Sequence, residues 1–183
     1  MPGAQASQAA KIAAKQSLLA ATRRATESLP KFSAWLLAGL GAAFFLLLAN
    51  LDKATQFIDI QYIRFALLLF LLSLVIAVLT TYLTMMVKAA LGAQDDGEVL
   101  AKAISDAGAR VDSDVFVTEF LRGLLPPFRW LASSSIRKAK AGDIVAGARL
   151  AAKLSQTHSL LVVVQSIVAL VAVGALAFGL KLQ

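Results

Sequence analysis

Three stretches of this chain carry no Asp, Glu, Lys or Arg over lengths that dictate their surroundings. "FSAWLLAGLGAAFFLLLANL" lies between Lys31 and Asp52, and "FALLLFLLSLVIAVLTTYLTMMV" between Arg64 and Lys88. "LSQTHSLLVVVQSIVALVAVGALAFGL" lies between Lys153 and Lys181, with His158 its only titratable group. A helix needs about 20 apolar residues to cross a hydrocarbon core about 30 Å thick, and each run meets that length. A single buried soluble helix can be this apolar, but three in 183 residues leave too little polar chain to cover them. A mean hydropathy of +0.74 supports the same reading. The expected fold is all-α: a polytopic integral membrane protein with three transmembrane helices and a small helical cytoplasmic segment between the second and third.

The boundaries follow the charges. Residues 1–31 read as a basic, Ala-rich cytoplasmic helix and 32–51 as the first span. Residues 52–64 form a short external connector and 65–87 the second span. Residues 88–157 form cytoplasmic amphipathic helices, 158–180 the third span, and 181–183 an external tail. Lys and Arg concentrate on the cytoplasmic side of membrane proteins. The N-terminal segment holds Lys11, Lys15, Arg23, Arg24 and Lys31 against Glu27 alone, and ten Lys and Arg follow the second span. The connector offers only Lys53 and Arg64, opposed by Asp52 and Asp59. The N-terminus is therefore expected in the cytoplasm and the C-terminus outside, in a bacterial inner (plasma) membrane. "TRRATES" contains a twin arginine but lacks the apolar residues expected soon after it, so the first span reads as retained.

Residues 4–28 are good helix formers with a thin apolar side of Ile12, Leu18 and Leu19, and Pro30 is expected to break that helix. In "DDGEVLAKAISDAGAR", Val99, Leu100, Ala103, Ile104 and Ala107 share a face. Opposite them Glu98, Lys102, Asp106 and Arg110 alternate in sign at i,i+4 spacing. A second amphipathic helix is expected over about 115–125, with Phe116, Val117, Phe120, Leu121 and Leu124 on one side. Asp114 is its expected cap, and Pro126 and Pro127 its stop. Beyond the diproline, Phe128, Leu131 and Ser135 share a face. Gly142 and Asp143 mark a break and a new cap, and a helix from Ile144 leads into the third span. About 65 residues of short helices make a small core, so their apolar faces need each other, a membrane surface or another subunit.

Chemistry is sparse. With no cysteine, thiolate catalysis and Cys-based metal sites are excluded, and no phosphate loop or nucleophile elbow is present. His158 is the only histidine and forms no metal cluster by itself. No catalytic, cofactor or metal residue is expected. The net charge of +7 invites a nucleic-acid reading, but loops obeying the positive-inside rule explain it without one. Arg122, Arg129, Trp130, Arg137, Lys138 and Lys140 suit a surface of anionic lipid headgroups, Trp130 as an interfacial anchor.

Within the spans, Ser73, Thr80, Thr81, Thr84, Gln165 and Ser166 are the polar exceptions. Ala34, Ala38 and Ala42 with Gly39 and Ala43, and Ala175 with Gly179, set small residues at the spacing of close helix contacts. Gly39, Ala43, Gln165, Ser166, Ala175 and Gly179 are thus candidates for helix packing or for lining a pore. The expected function is a non-enzymatic membrane subunit or scaffold whose cytoplasmic amphipathic helices bind the membrane surface or a protein partner. Expected partners are the bilayer and further copies of the chain or other membrane subunits. An oligomeric channel or pore-forming effector is the alternative.

Overall fold

In the computed structural model, residues 2–107, 112–126 and 128–181 are described. Among them the chain forms α1 (Pro2–Ala49), α2 (Leu51–Phe57), α3 (Ile60–Asp106), α4 (Ser113–Arg122), α5 (Phe128–Lys140) and α6 (Ala146–Phe178). No β-strand forms among the described residues, and the fold is all-helical. Helices α1, α3 and α6 are long and apolar enough to cross a membrane.

These three helices exceed what a bilayer requires. They contain 48, 47 and 33 residues, or about 72, 70 and 50 Å at the α-helical rise. Pro30 lies inside α1, so the expected break is absent. Proline removes one donor and crowds the carbonyl four residues back, here that of Thr26. That costs one intrahelical bond but does not oblige the chain to turn. The second span and "DDGEVLAKAISD" are likewise one helix, since Gly92 and Gly97 do not interrupt α3. The i,i+4 ladder gives way to tertiary pairing: Glu98 bonds Lys15 of α1 at 2.7 Å, while Arg110 lies outside the described residues.

The chain divides into two compact units. The first comprises residues 1–26 and 85–156. Its buried centre is Val87, Leu91 and Ala151, with Leu19, Ala90 and Leu154 against them. Arg23 pairs with Asp95 beside the Lys15–Glu98 bridge. Helix α4 is capped by Asp112, not Asp114: the Asp112 carboxylate accepts from the amides of Asp114 and Val115 at 2.9 and 3.3 Å. Asp112 is the last non-helical residue, and only there does a side chain reach the free N–H groups of the first turn. Helix α4 also ends at Arg122, ahead of Pro126. Pro127 lies outside the described residues.

Helix α5 closes as the sequence predicts. Gly142 adopts φ +89°, its amide bonds the Ala139 carbonyl at 2.9 Å, and the Asp143 amide bonds the Lys138 carbonyl at 3.0 Å. That is a Schellman closure, in which a residue bearing Cβ costs about 1 kcal/mol more than glycine. Asp143 then accepts from the Val145 amide at 3.2 Å and from Arg149 at 2.7 Å, starting α6.

The second unit comprises residues 27–84 and 157–183. Phe44, Ala66, Ala172 and Ala175 are its buried apolar centre, and Phe44 stacks on Phe70 with ring centroids 4.8 Å apart. The end of α6 is tied to the α2–α3 connector. Asp59 donates its amide to the Gly179 carbonyl at 3.0 Å, and Lys181 donates to the Phe57 carbonyl at 2.8 Å. A Cβ on Gly179 would stand 2.6 Å from Tyr62 Cβ, so this approach requires glycine. Leu182 and Gln183 of the tail lie outside the described residues.

Candidate functional site

Beside its apolar centre, the second unit buries a set of polar side chains while large apolar ones stay exposed. Ser33, Ser73, Thr80, Thr84, His158 and Gln165 are all buried, whereas Trp35, Phe45, Val78 and Leu170 are about 70% exposed (74%, 71%, 70% and 69%). Water selects the opposite arrangement; lipid tolerates this one, because interhelical hydrogen bonds are then made away from hydrocarbon. Ser33 of α1 donates to Gln165 Oε1 of α6 at 2.7 Å. The Thr84 hydroxyl stands 2.9 Å from the Thr80 carbonyl and 3.2 Å from His158 Nε2, within hydrogen-bond distance of both. Ser73 Oγ and Gln165 Nε2 are buried with no hydrogen-bond partner.

The candidate packing residues separate clearly. Gln165 is completely buried, and Ser166, half-buried, bonds back to the Val162 carbonyl at 2.8 Å. Ala175 belongs to the apolar centre and Gly179 to the Tyr62 contact. Gly39 and Ala43 are exposed together with Ala34, Ala38 and Ala42, and a Cβ on Gly39 meets nothing within 4 Å. The small-residue stripe of α1 therefore faces away from its own chain.

In the first unit, α4 and α5 form a hairpin with two unlike sides. The inner side carries most of the faces expected from spacing: Phe116, Val117 and Phe120 of α4 with Leu124 just beyond its end, and Phe128, Leu131 and Ser135 of α5, whereas Leu121, expected on the same face, does not line it. These line an apolar groove of about 700 Å³. Its other wall is α3 from Met86 to Leu100 and α6 at Gly147, Leu150 and Leu154. Sequence reasoning missed that wall. The signal was available in the i,i+3 and i,i+4 recurrence of Met86, Ala90, Ala93, Gly97 and Leu100, hidden by treating the second span as ending at 87. Val99, expected on the apolar face, is 70% exposed.

The outer side of the hairpin is basic. Trp130 is 70% exposed, and Arg129, Arg137 and Lys138 are exposed beside it. Arg122 pairs with Glu119 at 2.7 Å, and Lys140 pairs with Asp114, pinning α5 to α4. The Lys140 ammonium holds the Asp114 carboxyl below its ordinary value of 3.8, first by its hydrogen bond and then by its charge. Lys15 does the same to Glu98. Among the described residues, no group of three or more His, Cys, Asp or Glu is placed to hold a metal ion. In comparisons with known proteins, no family model, no curated protein and no solved structure matches this chain.

Proposed function

We propose that this chain is a three-span integral membrane protein acting as a non-enzymatic subunit or scaffold. Its N-terminus and first unit lie in the cytoplasm, and the α2–α3 connector and C-terminal end lie outside a bacterial inner (plasma) membrane. The α4–α5 hairpin is its working surface, turned toward anionic headgroups or a protein partner. The carrying observation is the two-sided build of α5: apolar residues toward the groove, and Arg129, Trp130 and Arg137 on the outer side. An exposed Trp among cations fits the headgroup layer, where its ring is apolar and its N–H stays wet. Arg122 and Lys140 already have carboxylate partners and contribute less.

The alternative, an oligomeric channel, draws on one observation, the outward small-residue stripe of α1, which offers a close contact to a second copy. Against a pore lined by Gln165 stands its bond to Ser33 inside a single chain.

Two measurements test the proposal. In a Thr55→Cys variant of this cysteine-free chain, an impermeant thiol reagent is expected to label intact cells; labelling only after lysis overturns the orientation. Extraction in mild detergent with mass determination is expected to yield a stable assembly without ion flux in liposomes. Flux abolished by Gln165→Leu overturns the scaffold reading in favour of the pore.

A further inference from the structure

In the second unit a fully buried position recurs every seventh residue on both α3 and α6. On α3 these are Ala66, Ser73 and Thr80, and on α6 Ala172, Gln165 and His158, each at most 2% exposed. Ala66 and Ala172 belong to one apolar cluster. At the other end His158 Nε2 stands 3.2 Å from the hydroxyl of Thr84, one turn beyond Thr80. The two contacts follow opposite chain order, so the helices run antiparallel, and a seven-residue repeat keeps one seam between them. Apolar packing closes that seam at its Ala66 end, and a titratable ring closes it at the other.

Nothing near that ring balances a positive charge. His158 is the only histidine of the chain, and α6 contains no Asp or Glu. Within the second unit, α3 carries Arg64 as its only charged side chain, and α1 carries Glu27 and Lys31; all three are exposed. Tyr62 and Tyr82 of α3 are 42% and 43% exposed. Lys88 of α3 and Lys153 of α6 also point outward and bear the same sign as an imidazolium. A buried cation without an acid beside it is costly, so such a ring takes up a proton only when water or an anion reaches it. At 1% exposure the closed seam admits neither.

We propose that His158 is a proton-operated latch on the α3–α6 seam. Neutral, it closes the seam against Thr84; on taking up a proton, it draws water to the ring and parts the two helices at this end. The Ser33–Gln165 bond at 2.7 Å and the cluster around Phe44 hold the remainder, so the opening is confined to the region of Thr80, Thr84 and His158. The latch uses none of the hairpin residues and adds pH regulation to the molecule independently of what the hairpin meets.

The full chain is reconstituted in nanodiscs with spin labels on one of two cysteine pairs. Thr81→Cys with Leu160→Cys reports near the latch, and Leu71→Cys with Leu170→Cys reports farther along; all four positions are exposed. Because the chain has a single histidine, isotope labelling of histidine ring nitrogens lets NMR read the protonation of His158 alone. Between about pH 8 and about pH 5 a histidine titrates while carboxylates remain largely charged. Over this range the 81–160 distance is expected to shift to longer values in step with protonation of the ring, and the 71–170 distance to stay constant. His158→Gln keeps a polar side chain in the seam and is expected to abolish the shift; His158→Asn takes its place should that variant not fold. A ring that protonates while the 81–160 distance stays unchanged overturns the latch. So does a ring that remains neutral down to about pH 5, or a shift that persists in His158→Gln. Lengthening of both distances together overturns it in favour of a general loosening of the unit.

Discussion

The two units of this chain each have an apolar centre and differ in the polar groups they place around it. Residues 27–84 and 157–183 bury Ser33, Ser73, Thr80, Thr84, His158 and Gln165, and turn Trp35, Phe45, Val78 and Leu170 outward. Residues 1–26 and 85–156 bury Val87, Leu91 and Ala151 and hold themselves with exposed ion pairs such as Lys15–Glu98 and Lys140–Asp114. On the proposed three-span reading, the difference teaches that one continuous helix answers to two solvents. Helix α3 exposes Leu68, Leu71, Val75 and Val78 over its first half and adds exposed Lys88, Asp95, Asp96 and Glu98 over its second, with no break between them. Where lipid is the solvent, polar groups converge because only other helices can satisfy them. Where water is the solvent, apolar groups converge instead.

That contrast can be broken at specific positions. The largest effect is expected from Gly179→Val, which forces side-chain atoms into Tyr62. A destabilisation of about 1–3 kcal/mol is expected, read by denaturant titration in detergent micelles or bicelles. An unchanged midpoint would show that the α6 end does not pack against the connector as described. Next, Gln165→Leu removes an interhelical bond and leaves Ser33 to find another acceptor. The expected cost is about 0.6–1.7 kcal/mol in the same assay. A stabilised variant would mean that this polar pair is kept for something other than holding the helices.

The smallest effect separates the units by pH. Glu98 and Asp114 have folded pKa values below their ordinary 4.5 and 3.8. Their stabilising effect is therefore complete above those values and is lost as pH falls through the lower folded ones. Both carboxylates are exposed, so the effect is small and screened by salt. Hydrogen exchange in α4 and at the N-terminal half of α1 is expected to accelerate below about pH 4, with no matching change between Ala66 and Ile76. Uniform acceleration across both regions would erase the distinction.

How much of this was legible beforehand differs residue by residue. The apolar faces of α4 and α5 were readable because 3.6-residue periodicity is a local property, and the Gly142–Asp143 junction was readable because a left-handed closure asks for glycine. The cap of α4 was misplaced by two residues, since Asp112 and Asp114 are chemically equal and only backbone geometry distinguishes them. Pro30 was overread, because a lost hydrogen bond is a cost and not a terminus. Membrane-facing candidates Arg122 and Lys140 could not be told from Arg129 and Arg137 by type. Their carboxylate partners emerge only when α4 and α5 pair.

The sequence by itself determined the three long apolar helices and the charged segments that flank them, because uncharged length and the distribution of Lys and Arg need no tertiary information. Only the tertiary structure decided that Gln165 meets Ser33, that His158 meets Thr84, and that Gly179 yields to Tyr62. Those partners lie 132, 74 and 117 residues apart in the chain, and no local periodicity reaches that far. It also decided that the apolar faces of α4 and α5 meet a wall of α3 and α6 without filling the space between them, because that space depends on how four helices pack and not on any one of them.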